Sequence, residues 1–239
     1  VLDATTLVHK TLTPAALAAQ GATLTVSEPL GRDHLIARLM GGGYQRAAVV
    51  DDVGTFAVRG GIVDIFAPTG ALPLRVEFFG DEVESLRTFD PLTQRTVATL
   101  TQATLSPARE AIVTDADGVK ARLYELADAM VFPSRKTREL VRLIEEDPGF
   151  VGNHALLPAY HASLTEVASH LPARARVAIV DERACGAVIE RRLATLHAAH
   201  QERVAAGHLA FPPQAHVADE AWWQAWRARA GVAIEPFML

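Results

Sequence analysis

A chain of 239 residues with 49% hydrophobic and 21% charged residues is typical of a folded globular protein, which excludes general disorder. Its formal net charge of −5 argues against a protein that binds mainly the DNA backbone, because phosphate affinity comes from clustered Lys and Arg. The single cysteine, Cys185, excludes an internal disulfide, and no apolar run reaches the roughly 20 residues of a membrane helix, so we expect a protein of a reducing cytosol.

The first 42 residues are predicted to form a lead-in segment. Their clearest element is a helix from Asp33 to Met40, which we expect to end at Gly41-Gly42-Gly43, because glycine commonly ends helices. The apolar stripe of this helix consists of Leu35, Ile36, Leu39 and Met40. The chain begins at Val1 and not at Met, which indicates a piece of a longer protein.

Between Gln45 and about Leu105 the hydrophobic period changes to two, which predicts β-strands. The β-rich runs are broken by Gly, Pro and Asp: Ala47–Val50, Thr55–Arg59, Ile62–Phe66, Leu74–Phe79 and Val83–Phe89. Gly60-Gly61 and Gly80-Asp81 are each expected to form a two-residue hairpin loop of a primed type, in which glycine supplies the positive φ. The pattern therefore predicts a meander of antiparallel strands.

Helical patterns dominate from Thr114 onward. The capping-box-like run Thr114-Asp115-Ala116-Asp117 predicts one helix start, and Ser134 and Asp219 predict two more. The run Val177–Val180 predicts a continuous apolar strand, and a long helix is expected to follow it from about Arg183 to Ala206. Helices that alternate with fully apolar strands are typical of a parallel α/β sheet.

Alternation in the predicted meander brings three interface-type side chains to one surface. In the strand Leu74–Phe79 it places Arg75 and Phe79 on the solvent face, and in Thr55–Arg59 it turns Arg59 the same way. Arginine and aromatic residues are enriched at protein-interface hot spots. This pattern indicates a docking surface.

A purely structural interpretation of the same residues is also open. The two arginines are then solvated charges paired with Glu77 or Glu84, and Phe79 packs under a turn. Exposed charges on a strand face are common, so the pattern alone favours this interpretation slightly.

Several separated runs, in order, resemble one known module. They are Gly43–Arg46, Gly54–Phe66, Leu74–Val83 and Phe89-Asp90-Pro91. The module is the UvrA-binding module shared by UvrB and the transcription-repair coupling factor family. Ser85–Asp90 and Thr93-Gln94-Arg95 are more similar to the coupling factors, since UvrB usually carries Thr-Gly where this chain has Thr93-Gln94. The resemblance is dense over residues 30–110 and weaker elsewhere.

The resemblance implies a fold, a partner and a site. It implies an α/β protein (α+β overall) with an antiparallel β-rich module, residues 28–107, inserted in a noncatalytic UvrB-like α/β domain formed by residues 1–27 and 108–239. The implied partner is UvrA, and the implied contact residues are Arg59, Arg75 and Phe79. In the family, a C-terminal domain covers this surface, and RNA polymerase and DNA are bound by other regions. The resemblance also implies a bacterial cytoplasmic protein that acts in transcription-coupled nucleotide excision repair.

A nucleotide site is the main enzymatic alternative. The strand before Asp181 and Glu182 is similar to a Walker B strand, in which an Asp holds Mg²⁺ and a Glu activates water. The sequence contains no G-x-x-x-x-G-K-[ST] loop to cradle the phosphates. We therefore interpret Asp181 and Glu182 as the remnant of a degenerate site, now a strand-end turn and helix start, and predict neither cofactor nor catalysis.

Nine histidines raise the question of a metal site. His197 and His200 share a helix face, but no cysteine or carboxylate cluster completes a tetrahedral set, so we predict no metal. Trp222 and Trp226 are expected to pack in the core. Two other functions remain open: a fragment of the UvrB excision-nuclease subunit, and a structural scaffold whose arginine face is solvated.

Overall fold

The structure is a computed structural model that describes residues 2–150, 153–229 and 231–234. The α-helices in these residues are α1 (Ala4–Val8), α2 (Pro14–Gln20), α3 (Arg32–Gly41), α4 (Ala116–Ala129), α5 (Ser134–Glu146), α6 (Leu157–Tyr160), α7 (Glu182–Ala205) and α8 (Glu220–Arg227). The strands are β1 (Lys10–Leu12), β2 (Ala22–Thr25), β3 (Gln45–Arg46), β4 (Thr55–Arg59), β5 (Ile62–Ile65), β6 (Leu74–Phe79), β7 (Glu82–Phe89), β8 (Thr96–Leu100), β9 (Gln102–Leu105), β10 (Leu164–Glu166), β11 (Ala178–Val180) and β12 (Val232–Ile234). This mixture of helices with a largely antiparallel sheet confirms the predicted fold class.

The chain divides into two compact units. Ala15–Thr114 form one, which we call the sheet unit, and Val1–Pro14 with Asp115–Leu239 form the other, which we call the helical unit. Strand β2, which precedes the predicted module start at residue 28, pairs antiparallel with β9 inside the sheet unit. The sheet unit thus extends beyond residues 28–107 at both ends.

The sheet unit is built on one six-stranded sheet with the order β3-β4-β5-β6-β7-β8. Strands β3 and β4 are parallel, and every later pair is antiparallel, as expected for a meander. The predicted hairpins are present, because Arg59 pairs with Ile62 and Phe79 pairs with Glu82. Gly60 and Gly80 take φ values of 59° and 60°, the positive φ that a primed turn requires at its first loop position.

The main core of the sheet unit lies on one sheet face, under α3. Phe56, Val63, Val76 and Leu86 from four adjacent strands are fully buried there. Leu35 and Leu39 of α3 belong to the same core, as the predicted stripe requires, whereas Met40 is 63% exposed. The membership of Met40 in the stripe was therefore wrong, since Met40 lies one residue beyond the buried Leu39 and hence on a different side of the helix.

A smaller core lies elsewhere in the sheet unit. It consists of Val50, Ala57 and Phe89, with Phe66 packed against it. Val50 reaches it from a segment without regular structure, so the prediction of a strand at Ala47–Val50 was wrong. The apolar run that suggested a strand is explained by this tertiary burial of Val50.

The helical unit contains two short sheets. Strands β1 and β10 pair antiparallel, and β11 and β12 pair parallel. Its core includes Ile179, Ile189 and Trp223. Trp222 and Trp226 are partly buried and stack with ring centroids 6.0 Å apart, while Trp223, the neighbour of Trp222, is the buried tryptophan of α8.

Candidate docking surface

Strand register defines the face of the sheet opposite the main core, which we call the outer face. Ala57 is paired with Asp64, Asp64 with Arg75, and Arg75 with Arg87, so these side chains form one row across four strands. A second row links Arg59, Ile62, Glu77 and Ser85. Phe79 lies two residues beyond Glu77 on β6, hence on the same face. The structure therefore brings the predicted Arg59, Arg75 and Phe79 together on one face.

Asp64 is the centre of this face. Its carboxylate accepts two hydrogen bonds from Arg75, from Nε to Oδ1 at 2.7 Å and from Nη2 to Oδ2 at 2.9 Å. Arg59 Nη2 donates to Oδ2 as well, at 2.8 Å. The Asp64 side chain is only 4% exposed, so its charge depends on these bonds in place of water.

Arg75 is held on three sides. Besides Asp64, its Nη2 donates to Gln94 Oε1 at 3.2 Å, and its guanidinium carbon lies 4.5 Å from the centroid of the Phe89 ring. The hydrogen bond with Asp64 raises the pKa of Arg75 above its usual value. The guanidinium is thus charged and fixed in one orientation.

A second ion pair lies one row further along. Glu77 accepts from Ser85 Oγ at 2.6 Å and pairs with Arg87 Nη2 at 3.2 Å. The structural interpretation paired Arg59 and Arg75 with Glu77 or Glu84, and this was wrong, because both arginines form ion pairs with Asp64. Glu77 instead forms its ion pair with Arg87.

The three predicted contact residues differ in exposure. Phe79 is 78% exposed, and the Arg59 side chain is 55% exposed. The Arg75 side chain is only 15% exposed. The structural interpretation required Phe79 to pack under a turn, and its exposure shows that it does not. Phe79 and Arg59 therefore present most of the free surface, whereas Arg75 mainly orders the centre of the outer face.

Sequence reasoning missed Asp64 and Gln94. Asp64 was predictable, because a two-residue loop at Gly60-Gly61 fixes the pairing of residues 57 and 64, and a carboxylate inside an apolar strand needs a partner. Gln94 left no such signal. Its contact with Arg75 depends on the conformation of the loop that follows β7.

Asp181 and Glu182 lie in the helical unit, at the start of α7. Asp181 has φ 54° and caps the helix, its side chain accepting from Ala184 N at 2.9 Å. Glu182 is paired with Arg227 at 2.5 Å. The neighbouring cavity of about 540 Å³ is lined by the carboxylates of Glu182, Glu190 and Glu220 and by two arginines, Arg183 and Arg227.

Two further observations concern only the part of the chain that the structure describes. Within residues 2–150, 153–229 and 231–234, no three side chains of His, Cys, Asp or Glu are grouped to hold a metal ion. In the same ranges, no helix combines the length and apolar character needed to cross a membrane.

The segment that carries the outer face belongs to a described class of domain. Residues 22–110 match the family model of the UvrB interaction domain. The match begins with β2 and ends after β9, so it includes every strand of the six-stranded sheet.

The relatives that match this chain are proteins of one kind. The chain is 42% identical over 163 residues to the transcription-repair-coupling factor of Myxococcus xanthus, which covers 67% of this chain and 14% of that protein. It is 38% identical over 113 residues to the transcription-repair-coupling factor of Bacillus subtilis, covering 47% of this chain and 9% of the relative. The Mycobacterium tuberculosis protein of the same name is 36% identical over 154 residues, 60% of this chain and 12% of that protein. The chain thus spans about one seventh or less of these relatives, and the resemblance to coupling factors is confirmed.

Proposed function

We propose that the sheet unit binds UvrA through its outer face. The observation that carries this proposal is the arrangement around Asp64, which holds Arg59 and Arg75 on the same sheet face as Phe79, a ring that is 78% exposed. An exposed aromatic ring on the same face as preorganised arginines has the composition of an interface hot spot. The match to the UvrB interaction domain supports this choice of partner.

Preorganisation makes this face suited to binding. Arg75 has already lost its rotational freedom to Asp64, Phe89 and Gln94, so binding requires little further ordering of that side chain. Arg59 keeps one hydrogen bond to Asp64 and leaves its other donors free for a partner carboxylate or carbonyl. Phe79 supplies the apolar area.

The role of the whole protein extends this proposal. By similarity to coupling factors, the chain is a noncatalytic piece of a bacterial cytoplasmic protein that recruits UvrA to stalled transcription. Contacts with RNA polymerase and ATP-driven movement on DNA belong to other regions of that protein, and a C-terminal domain covers the outer face until it is needed. The module at residues 28–107 is inserted between two parts of a UvrB-like domain, with Asp181 and Glu182 a relic of its nucleotide site.

A structural scaffold remains the second candidate, because the buried Asp64–Arg75 pair also orders the sheet. Substitution of Arg59 separates the two functions. Arg59→Ala leaves both Arg75 bonds to Asp64 in place, so the fold is expected to persist. We expect the affinity for purified UvrA, measured by isothermal titration calorimetry, to fall about tenfold.

The matched control is Arg135→Ala, which removes a solvent-exposed arginine of the helical unit that pairs with Glu139. It is expected to bind UvrA like the parent chain. Equal affinities of the parent chain and Arg59→Ala, or no binding by the parent chain, would contradict the proposed function.

A further inference from the structure

The loop between β7 and β8, residues 90–95, is closed by its own hydrogen bonds. Asp90 N donates to Arg95 O at 2.9 Å, and Gln94 N donates to Asp90 O at 2.8 Å. The Asp90 carboxylate accepts from Leu92 N at 3.0 Å and from Thr93 N at 2.7 Å. These bonds hold the loop in one conformation while Leu92 remains 90% exposed.

Gln94 adopts a backbone conformation that favours glycine. Its φ is 60°, which is unfavourable for a side chain of this kind. The side-chain amide of Gln94 makes two hydrogen bonds that offset this cost. Nε2 donates to Pro91 O at 2.8 Å inside the loop, and Oε1 accepts from Arg75 Nη2 at 3.2 Å. Gln94 thereby ties the 90–95 loop to the centre of the outer face.

The loop lies at one end of this face, and Phe79 lies at the other. Arg75 and Phe79 are four residues apart on β6, which corresponds to about 13 Å. Gln94 reaches the Arg75 end, because β7 ends beside the start of β6, where Phe89 N donates to Pro73 O at 3.1 Å. Two exposed apolar side chains, Phe79 and Leu92, therefore flank the arginines held by Asp64.

We propose that the 90–95 loop is a second contact element of the UvrA-binding surface, with Leu92 as its apolar anchor and Gln94 as a positioning residue that fixes the loop against Arg75. This inference rests on the proposed function and extends it. The occupant is the same partner, which must offer a second apolar patch beyond the one that receives Phe79. Continuity with the outer face through the Gln94–Arg75 bond argues for this occupant.

Two substitutions test the loop by titration of the chain with purified UvrA. Leu92→Ala removes an exposed side chain and is expected to weaken binding about tenfold without lowering the melting temperature. Gln94→Gly removes the bond to Arg75 but suits the positive φ, so we expect affinity to fall about fivefold in a chain that still folds. Met40→Ala is the control, since Met40 is 63% exposed on α3, which covers the opposite sheet face.

The positioning role of Gln94 has its own readout. In an Arg75→Ala background, Gln94→Gly is expected to change UvrA affinity less than about twofold, because its contact is already lost. An undiminished effect there overturns the positioning role.

The outcomes separate this inference from the proposed function. If Phe79→Ala weakens binding while Leu92→Ala and Gln94→Gly bind like the parent chain, the second contact element is overturned and the proposed function stands. If the parent chain does not bind UvrA, both are overturned.

Discussion

Replacing Phe79 with alanine is expected to weaken UvrA binding by about 2 kcal/mol, or about 30-fold in Kd. The ring is 78% exposed in the free chain, so most of its apolar area is available for burial by a partner. Burial of an aromatic side chain is among the largest single contributions to binding at a protein interface. Isothermal titration calorimetry with purified UvrA measures the change.

This substitution is cleaner than one at Arg75. Because Phe79 makes little contact within the chain, we expect the melting temperature of Phe79→Ala to match that of the parent. Met40→Ala provides the comparison, since it also truncates an exposed apolar side chain of the sheet unit. A Phe79→Ala chain that binds as tightly as Met40→Ala would show that Phe79 lies outside the interface.

Replacing Asp64 with alanine is expected to lower the free energy of unfolding of the sheet unit by about 3 kcal/mol. The substitution removes three charge-assisted hydrogen bonds and leaves the mostly buried Arg75 without a counterion. Urea denaturation followed by circular dichroism measures this loss. UvrA affinity should also fall, since neither arginine is then held in its binding orientation.

Glu77→Ala is the matched control for the buried pair. Glu77 also bridges strands to an arginine, but the side chains of Glu77 and Arg87 are 23% and 40% exposed. Water can replace much of this interaction, so we expect a loss below about 1 kcal/mol. Similar losses for Asp64→Ala and Glu77→Ala would contradict the central structural role of Asp64.

The sequence was sufficient to predict the hairpins and the three residues Arg59, Arg75 and Phe79 of the outer face. A two-residue loop such as Gly60-Gly61 leaves little freedom in strand register, and strict alternation then fixes the face on which each side chain lies. Arg59, Arg75 and Phe79 were brought together on these grounds alone. The pairing of Asp64 followed from the same register, although it was overlooked.

Other features depend on tertiary contacts that no local pattern contains. Val50 is buried by tertiary packing, although its local sequence favoured a strand at Ala47–Val50. Trp222 and Trp226 pack against the core as predicted, but the neighbouring Trp223 is the more deeply buried side chain. The Gln94–Arg75 bond requires a non-glycine residue with positive φ, which propensity argues against. The low exposure of the Arg75 side chain, 15%, likewise depends on its contacts with both Asp64 and Phe89.

UvrA was predicted as the partner from the resemblance to the UvrA-binding module and not from the alternation of side chains along the strands. Alternation and burial identify a docking surface, but many partners suit arginine beside an aromatic ring. The match to the UvrB interaction domain over residues 22–110 supports UvrA as the partner that we propose. In that proposal Phe79 and Arg59 are the contacts, because they are the more exposed side chains, and Arg75 orders the centre of the outer face.

Site-specific photo-cross-linking tests most directly whether the outer face is the UvrA-binding surface. A benzophenone-bearing phenylalanine analogue replaces Phe79 in one chain and Met40 in another, and each is irradiated with purified UvrA. We predict a covalent adduct with UvrA from position 79 and none from position 40. Cross-linking from position 40 alone, or from neither position under conditions in which the parent chain binds UvrA, would contradict the account.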